Sequence, residues 1–491
     1  MNDPYQKLIR RSREIALLEG TASLLHWDQE TGLPKNGIPW RAEELSHLSG
    51  MTHRLFTAPE VGGWISECEA KTYAPESSEA ANVRGWRRNY DRATKIPVEL
   101  VEEHTRTTSL ANSIWIEARK RSDFSHFAPI LAKIFDQVRR MADCWGYEDS
   151  RYDALLEGYE PGARSKDLTT LFAAFRPRLV EVLGLALEKS KFAPVLEGDF
   201  PIAAQVAFNE EVARAIGFDF DAGRIDETTH PFCTRPGPGD TRLTTRYDPG
   251  NFLSSLFSVM HEAGHGMYEQ GVDQDAFGTP MGSAISLGIH ESQSRLWENL
   301  VGRTPDFWNF WYPRAAEHFP ALRKYAPDQV CAAVNRVSPS FIRVEADQVT
   351  YDLHIMLRFD LERRMLEGDV ALADVPAVWN EEFEKSFGLK VPDDSHGCLQ
   401  DIHWSAGLIG YFATYSLGNL NGAQLYSTAL REKPGIAGEL KSGHYTTLFQ
   451  WMRDKVHRKA SALLPQELMA SVTGRPTGTE DHLAMLRAKY S

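Results

Sequence analysis

Two histidines four residues apart, with an acid between them, are the part of this sequence best suited to chemistry: His261-Glu262-Ala263-Gly264-His265. On a helix, residues four apart share a face, so both imidazoles can point at one metal ion. Glu262 lies about 100° further round the axis. That is the wrong place for a third ligand of the same kind. It suits a base that takes the proton of a water polarised by the ion and later delivers it to a leaving amine. Two ligands and a base thus come from one helical turn. In a chain with 16 histidines the pattern arises by chance about a few times in a hundred. Gly264 and Gly266 beside the ligands suggest close backbone packing, which a bare surface helix does not need.

A catalytic metal site needs a third protein ligand and an open position. The next helical stretch, 286–301, contains His290-Glu291-Ser292-Gln293. Glu291 is the natural candidate if this helix packs antiparallel to the first. From spacing alone His290 and Glu298 stay open as alternatives.

The elements that must position these groups read as helices. Phe252, Leu253, Leu256, Phe257, Val259 and Met260 give the ligand segment an apolar body, and Pro249-Gly250-Asn251 supplies its start. Ile130, Leu131, Ile134, Phe135, Val138 and Met141 recur at steps of three and four, with Ser125 as the expected cap and Pro129 expected in the first turns. A similar face follows Ser165 and Asp167, where Pro177 is expected to kink or split the helix. The segments 10–25, 97–120, 251–270, 345–368 and 445–463 also read as helical. Strand signals are few. Thr241–Tyr247 is the best, ending at the turn Asp248-Pro249-Gly250 and following a Pro- and Gly-rich stretch, 234–240, expected to be a loop. The expectation is a mainly α fold with a small β element near 200–247. No linker divides the chain. It reads as one domain, 1–491, with an N-terminal helical part over about 1–200 and the metal-site and catalytic part over 201–491.

Composition narrows the functional classes. Against 67 acidic residues stand 54 basic ones, a net charge of −13 that disfavours general binding to nucleic acid or anionic membranes. No segment approaches the roughly 20 apolar residues of a membrane span. The five cysteines form no CxxC pair, so neither a disulfide framework nor a cysteine zinc site is expected. With no signal-peptide pattern at the N-terminus, the expected location is the cytoplasm.

Six separated motifs then give the sequence a resemblance that covers most of the chain. They are His230-Pro231-Phe232, Asp240-Thr241-Arg242-Leu243-Thr244, His261 to His265, His290 to Gln293, Ile342-Arg343-Val344-Glu345-Ala346-Asp347, and Gly397-Cys398-Leu399-Gln400-Asp401-Ile402-His403-Trp404. Trp27 to Thr31 and the Tyr152–Gly162 segment add to them. In this order they resemble the carboxypeptidase Taq family of metallopeptidases. The resemblance implies a large α-helical zinc-peptidase fold with a long central groove, and usually a homodimer. It implies one zinc ion per chain, with cobalt as an alternative, held by His261, His265 and Glu291, and Glu262 as base. His403 and Tyr411 or Tyr415 resemble the donors that related helical zinc peptidases direct at a carbonyl oxygen as it gains charge.

The implied reaction is removal of the last residue of peptides with a free C-terminus, with broad specificity. Such a reaction needs a cation for the substrate carboxylate. Arg242 and Arg343, inside two motifs, are candidates, with His230 as a further substrate contact. Both arginines have a structural alternative, pairing with Asp240 or Asp347. A zinc oligopeptidase or endopeptidase is the rival within enzymes, and a helical peptide-binding protein without turnover the rival outside them. Related peptidases place an acid four residues after the glutamate ligand, to hold a ligand histidine. Here that position is Arg295, leaving Asp240, Asp347 and Asp401 as replacements.

Overall fold

The computed structural model describes residues 3–491, and 69% of the chain is helical with one small sheet. The chain divides into two compact units, each assembled from three separated stretches. One comprises the residues up to 93, 194–334 and 421–476. The other comprises 94–193, 335–420 and 477–491.

The first unit holds the HExxH segment on a helix, Phe252–Gly271. Its apolar positions, among them Leu256, Val259, Met260, Ala263 and Met267, are fully buried in a core shared with Phe208, Val212 and Trp297. The sheet lies in the same unit. Its strands are β1 (Gly223–Glu227), β2 (Cys233–Gly237) and β3 (Asp240–Thr245). Central β3 runs parallel to β1 and antiparallel to β2. Leu243 of β3 is buried in that core, and Thr245 Oγ1 donates to Ser258 Oγ at 3.0 Å, tying the sheet to the helix Phe252–Gly271. The segment expected to be a loop at 234–240 therefore supplies most of a strand. The glycines and prolines misled because β2 is an edge strand with a register shift, where a missing donor is tolerated.

The second unit is helical, with Phe124–Trp145, Ser165–Ser190 and Thr350–Glu367 around one core. The helix starting at Phe124 is capped at Asp123, not at Ser125, and Asp394 accepts the Phe124 N–H at 2.9 Å. Pro129 is thus the sixth helical residue and removes an intrahelical bond. Such a proline costs about 3 kcal/mol. Phe124, Phe127, Leu131, Ile134 and Phe135 are all buried, and at about 1.5–3 kcal/mol each they outweigh it. The same reasoning covers Pro177. The helix Ser165–Ser190 continues through it, because Phe172, Phe175, Leu179, Val182 and Leu183 on both sides enter one core. Among the described residues, no helix is long and apolar enough to cross a membrane.

Candidate metal centre

The helix Phe252–Gly271 meets the helix Leu287–Arg295 at very close range, and Gly264 makes this possible. A Cβ at position 264 would sit 2.6 Å from the Gln293 carbonyl oxygen and 2.6 Å from the Ser294 Cα. With only a hydrogen there, the second helix brings Glu291 to the histidine pair. Glu291 Oε2 lies 3.6 Å from His261 Nε2 and 3.4 Å from His265 Nε2. These gaps are long for N–H···O hydrogen bonds. They match the edge of a tetrahedron with bonds of about 2.0–2.2 Å to a central ion. The three donor atoms form a group able to hold a metal ion, and their chemistry, two imidazole nitrogens and one carboxylate oxygen, fits a divalent cation.

The second oxygen of Glu291 is already engaged. Arg295 Nε donates to Oε1 at 2.6 Å, which leaves Oε2 facing the histidines. Burial would raise this carboxyl, but Arg295 and then His261 hold it far below the usual range. The arginine at the position of the expected acid thus orients the Glu291 carboxylate. Glu298 takes the acid's place. His261 Nδ1 donates to Glu298 Oε2 at 2.9 Å, which fixes the tautomer that leaves Nε2 free to ligate. Arg303 Nη2 donates to the other Glu298 oxygen at 3.2 Å. Burial pushes Glu298 up, but Arg295, His261 and Arg303 more than offset this and hold it at about 2.

None of the three aspartates considered from sequence plays this part. Asp240 pairs with Arg242, Asp347 caps the start of Thr350–Glu367, and Asp401 binds Arg343 and Arg358. The signal for Glu298 was its spacing. Positions 291, 295 and 298 lie on one helical face, so an acid seven residues on can replace one four residues on. The helix also widens to a π turn over Leu296–Val301, with the Gly302 N–H reaching the Trp297 carbonyl at 3.0 Å.

The two histidines are held differently. Burial pulls His265 down to about 3, with His290 acting in the same direction. Its Nδ1 is buried without a hydrogen-bond partner. Instead its ring stacks on His290, with centroids 4.4 Å apart and planes at 24°. His290 Nε2 lies 2.8 Å from Glu269, which pairs with Arg235 at 3.2 Å. His290 is therefore a neighbour of the donor triad and not part of it. For His261, burial lowers the affinity for a proton but Glu291 and Glu298 outweigh it, so the net shift is upward. Glu262 is 7% exposed, and burial pushes it up to about 7.

In the other unit, a second cluster gathers several remaining candidates. Arg343 donates from Nε to Asp401 at 2.9 Å and from Nη1 to the Tyr351 hydroxyl at 3.1 Å. Arg358 Nε donates to the other Asp401 oxygen at 2.6 Å. Two guanidiniums thus share one carboxylate. The Tyr415 ring lies under Arg343 at 5.1 Å, and its hydroxyl is 3.4 Å from His403 Nε2. His403 is buried. Burial holds it down at about 4, so its imidazole is neutral at neutral pH. The Tyr411 ring packs 5.3 Å from Tyr415. In the first unit, Arg242 makes a two-pronged pair with Asp240 at 2.8 and 2.9 Å and stacks 4.3 Å over Trp27. His230 is exposed in the bend before β2.

Comparison with known proteins supplies the remaining context. Residues 7–490 match the family described as Carboxypeptidase Taq (M32) metallopeptidase. The chain is 40% identical to thermostable carboxypeptidase 1 of Thermus thermophilus, over 99% of this chain and 98% of that protein. It superposes on a carboxypeptidase structure from Pyrococcus furiosus with a TM-score of 0.97 at 36% identity, covering 100% of this chain and 99% of the other. For the M32 carboxypeptidase of Deinococcus radiodurans the TM-score is 0.96 at 37% identity, covering 99% and 98%.

Proposed function

The chain belongs to the carboxypeptidase Taq (M32) metallopeptidase family, and from that premise we propose that it removes the C-terminal residue of peptides, with broad specificity, using one zinc ion held by His261, His265 and Glu291. Cobalt is the alternative ion. The observation that carries this reading is the convergence of two Nε2 atoms on one carboxylate oxygen, at 3.4 and 3.6 Å, beside a buried acid. When bound, the ion supplies a Lewis acid that polarises a carbonyl and makes water acidic.

The chain's own residues do the rest. Glu262 takes the proton of the attacking water on its carboxylate and returns it to the amine nitrogen of the departing amino acid. Burial raises the proton affinity of this carboxyl, the direction that an acid–base role needs. His403, neutral, and Tyr411 or Tyr415 donate hydrogen bonds to the carbonyl oxygen as it becomes negative. This assignment rests on their motif and on the clustering of His403 with Tyr415.

Arg343 is the better candidate of the two arginines for the substrate carboxylate. It shares a single counter-ion with Arg358, whereas Arg242 has Asp240 to itself. His230 is kept as a substrate contact on its motif alone. A homodimer in the cytoplasm is part of the proposal, and solution scattering that returns a monomer mass removes the dimer from it.

The deciding experiment compares one peptide with a free and an amidated C-terminus, before and after chelation. A charge-assisted contact is worth about 1.5–3 kcal/mol. Amidation should therefore lower kcat/KM about ten- to hundredfold, and Arg343→Ala should erase most of that difference with metal content intact. Chelation should abolish turnover and zinc or cobalt restore it. Equal cleavage of both peptides, with internal bonds cut, favours the oligopeptidase reading. Full activity of metal-free protein overturns the mechanism.

A further inference from the structure

His403 and Tyr411 stand on a segment, 401–410 and its continuation, that forms turns and no regular helix or strand. Internal bonds close its turns, such as Leu408 N–H to the His403 carbonyl at 2.9 Å, and side chains from elsewhere fix where those turns sit. The grip comes from one face of the helix Thr350–Glu367, where Arg358 and Glu362 stand four residues apart. Arg358 holds the start of the segment through Asp401 at 2.6 Å. Glu362 holds two points further along. Its Oε1 accepts from Trp404 Nε1 at 2.9 Å, and its Oε2 accepts from the Gly410 N–H at 3.0 Å. Trp404 follows His403 directly, and Gly410 precedes Tyr411.

We infer that Glu362 is a positioning residue for catalysis, which sets His403 and Tyr411 by accepting hydrogen bonds from Trp404 and Gly410 at once. The inference rests on the donor roles proposed for His403 and Tyr411.

The chemistry of the two donors supports it. An indole N–H and a backbone N–H can only donate. A side chain bridging them must accept on both of its ends, which a carboxylate does and a carboxamide does not. Glu362 is fully buried, where a carboxylate is costly to keep for packing alone. The Tyr152–Gly162 segment, unexplained by the reaction itself, joins the same assembly. Tyr152 donates its hydroxyl to Glu362 Oε2 at 2.9 Å, and the Tyr159 ring packs 5.3 Å from that of Tyr411. Burial pushes Glu362 up to about 7, against the pull of its donors.

The test uses Glu362→Gln, Trp404→Phe, His403→Ala and Tyr411→Phe in the full-length protein, each checked by circular dichroism and metal content. Glu362→Gln keeps the shape but turns one acceptor into a donor. Trp404→Phe removes a single N–H. For both, kcat should fall about ten- to hundredfold, as misplaced catalytic groups cost, while KM and metal content change little. The loss in Glu362→Gln should be less than additive with that in His403→Ala, because both act on one segment. A folded Glu362→Gln variant with wild-type kcat, or with a fully additive loss, overturns the inference and leaves the donor roles standing. If Glu362→Gln does not fold, Trp404→Phe decides, and unchanged kcat there overturns it equally. Wild-type kcat in both His403→Ala and Tyr411→Phe instead removes the donor roles themselves, and the inference with them.

Discussion

The helix Phe252–Gly271 and the helix Thr350–Glu367 each carry a buried glutamate whose carboxyl is pushed up to about 7, mainly by burial. Around Glu362 the protein has built three donors at 2.9–3.0 Å, so both oxygens are committed and the side chain has one orientation. Glu262 makes no side-chain hydrogen bond to any described residue. Its neighbours His261, Glu291 and His290 act on it through charge alone. A similar upward shift therefore accompanies opposite surroundings, one acid held by three donors and one with none. A shifted pKa locates buried acids, and the donors around each acid separate the structural ones from those free to react.

The contrast is open to direct attack. Replacing the free base has the largest expected effect. Glu262→Gln should lower kcat by about 10²–10⁴, with metal content near one per chain and no loss of melting temperature, since no hydrogen bond is removed. Loss of metal in this variant would make Glu262 a ligand and end the comparison.

The locked acid should show itself in stability. Its folded pKa is about 7 against 4.5 for the unfolded chain, so the folded state holds an extra proton between those values. Its contribution is complete below pH 4.5 and is lost as pH rises through 7, by on the order of 3 kcal/mol. Urea unfolding at pH 5 and pH 8 should show this fall in the wild type and a smaller one in Glu362→Gln. Equal falls in both would mean that Glu362 ionises without cost. The smallest effect is expected at Glu298. Glu298→Ala should weaken metal affinity about 10–100-fold through His261, measured by competition with a chelator. Unchanged affinity would mean that His261 needs no carboxylate at Nδ1 to ligate.

What the sequence made legible follows from distance along the chain. The histidine pair and Glu262 occupy one turn, so helix geometry alone places them. Glu291 needed only one further assumption, that the next helix packs against the first, and the glycine at 264 hinted at it. Arg343 and Asp401 are 58 residues apart, and no local periodicity ties them together. The structural alternative considered for Arg343 was pairing with a near neighbour such as Asp347, which instead caps a helix. Glu362 was invisible for the same reason, since its partners Tyr152, Trp404 and Gly410 come from two remote segments. The helix Ser165–Ser190 is not split at Pro177, because the apolar residues on both sides of it enter one core. The division into two units, each of three stretches, leaves no mark in composition where the chain passes from one to the other.

The close approach at Gly264 bears on which ions the site accepts. The approach of the two helices is limited there by backbone against backbone, and the side chains that span the gap are held by Arg295 and Glu298. A site defined by main-chain contact is stiff to changes of ionic radius. Calcium, with oxygen bonds of about 2.3–2.6 Å and six to eight partners, demands a wider and more yielding cage than zinc at about 2.0–2.2 Å. One added carbon at position 264 would therefore act as a spacer on the whole cage, moving its preference along the series of ionic sizes without touching a single ligand.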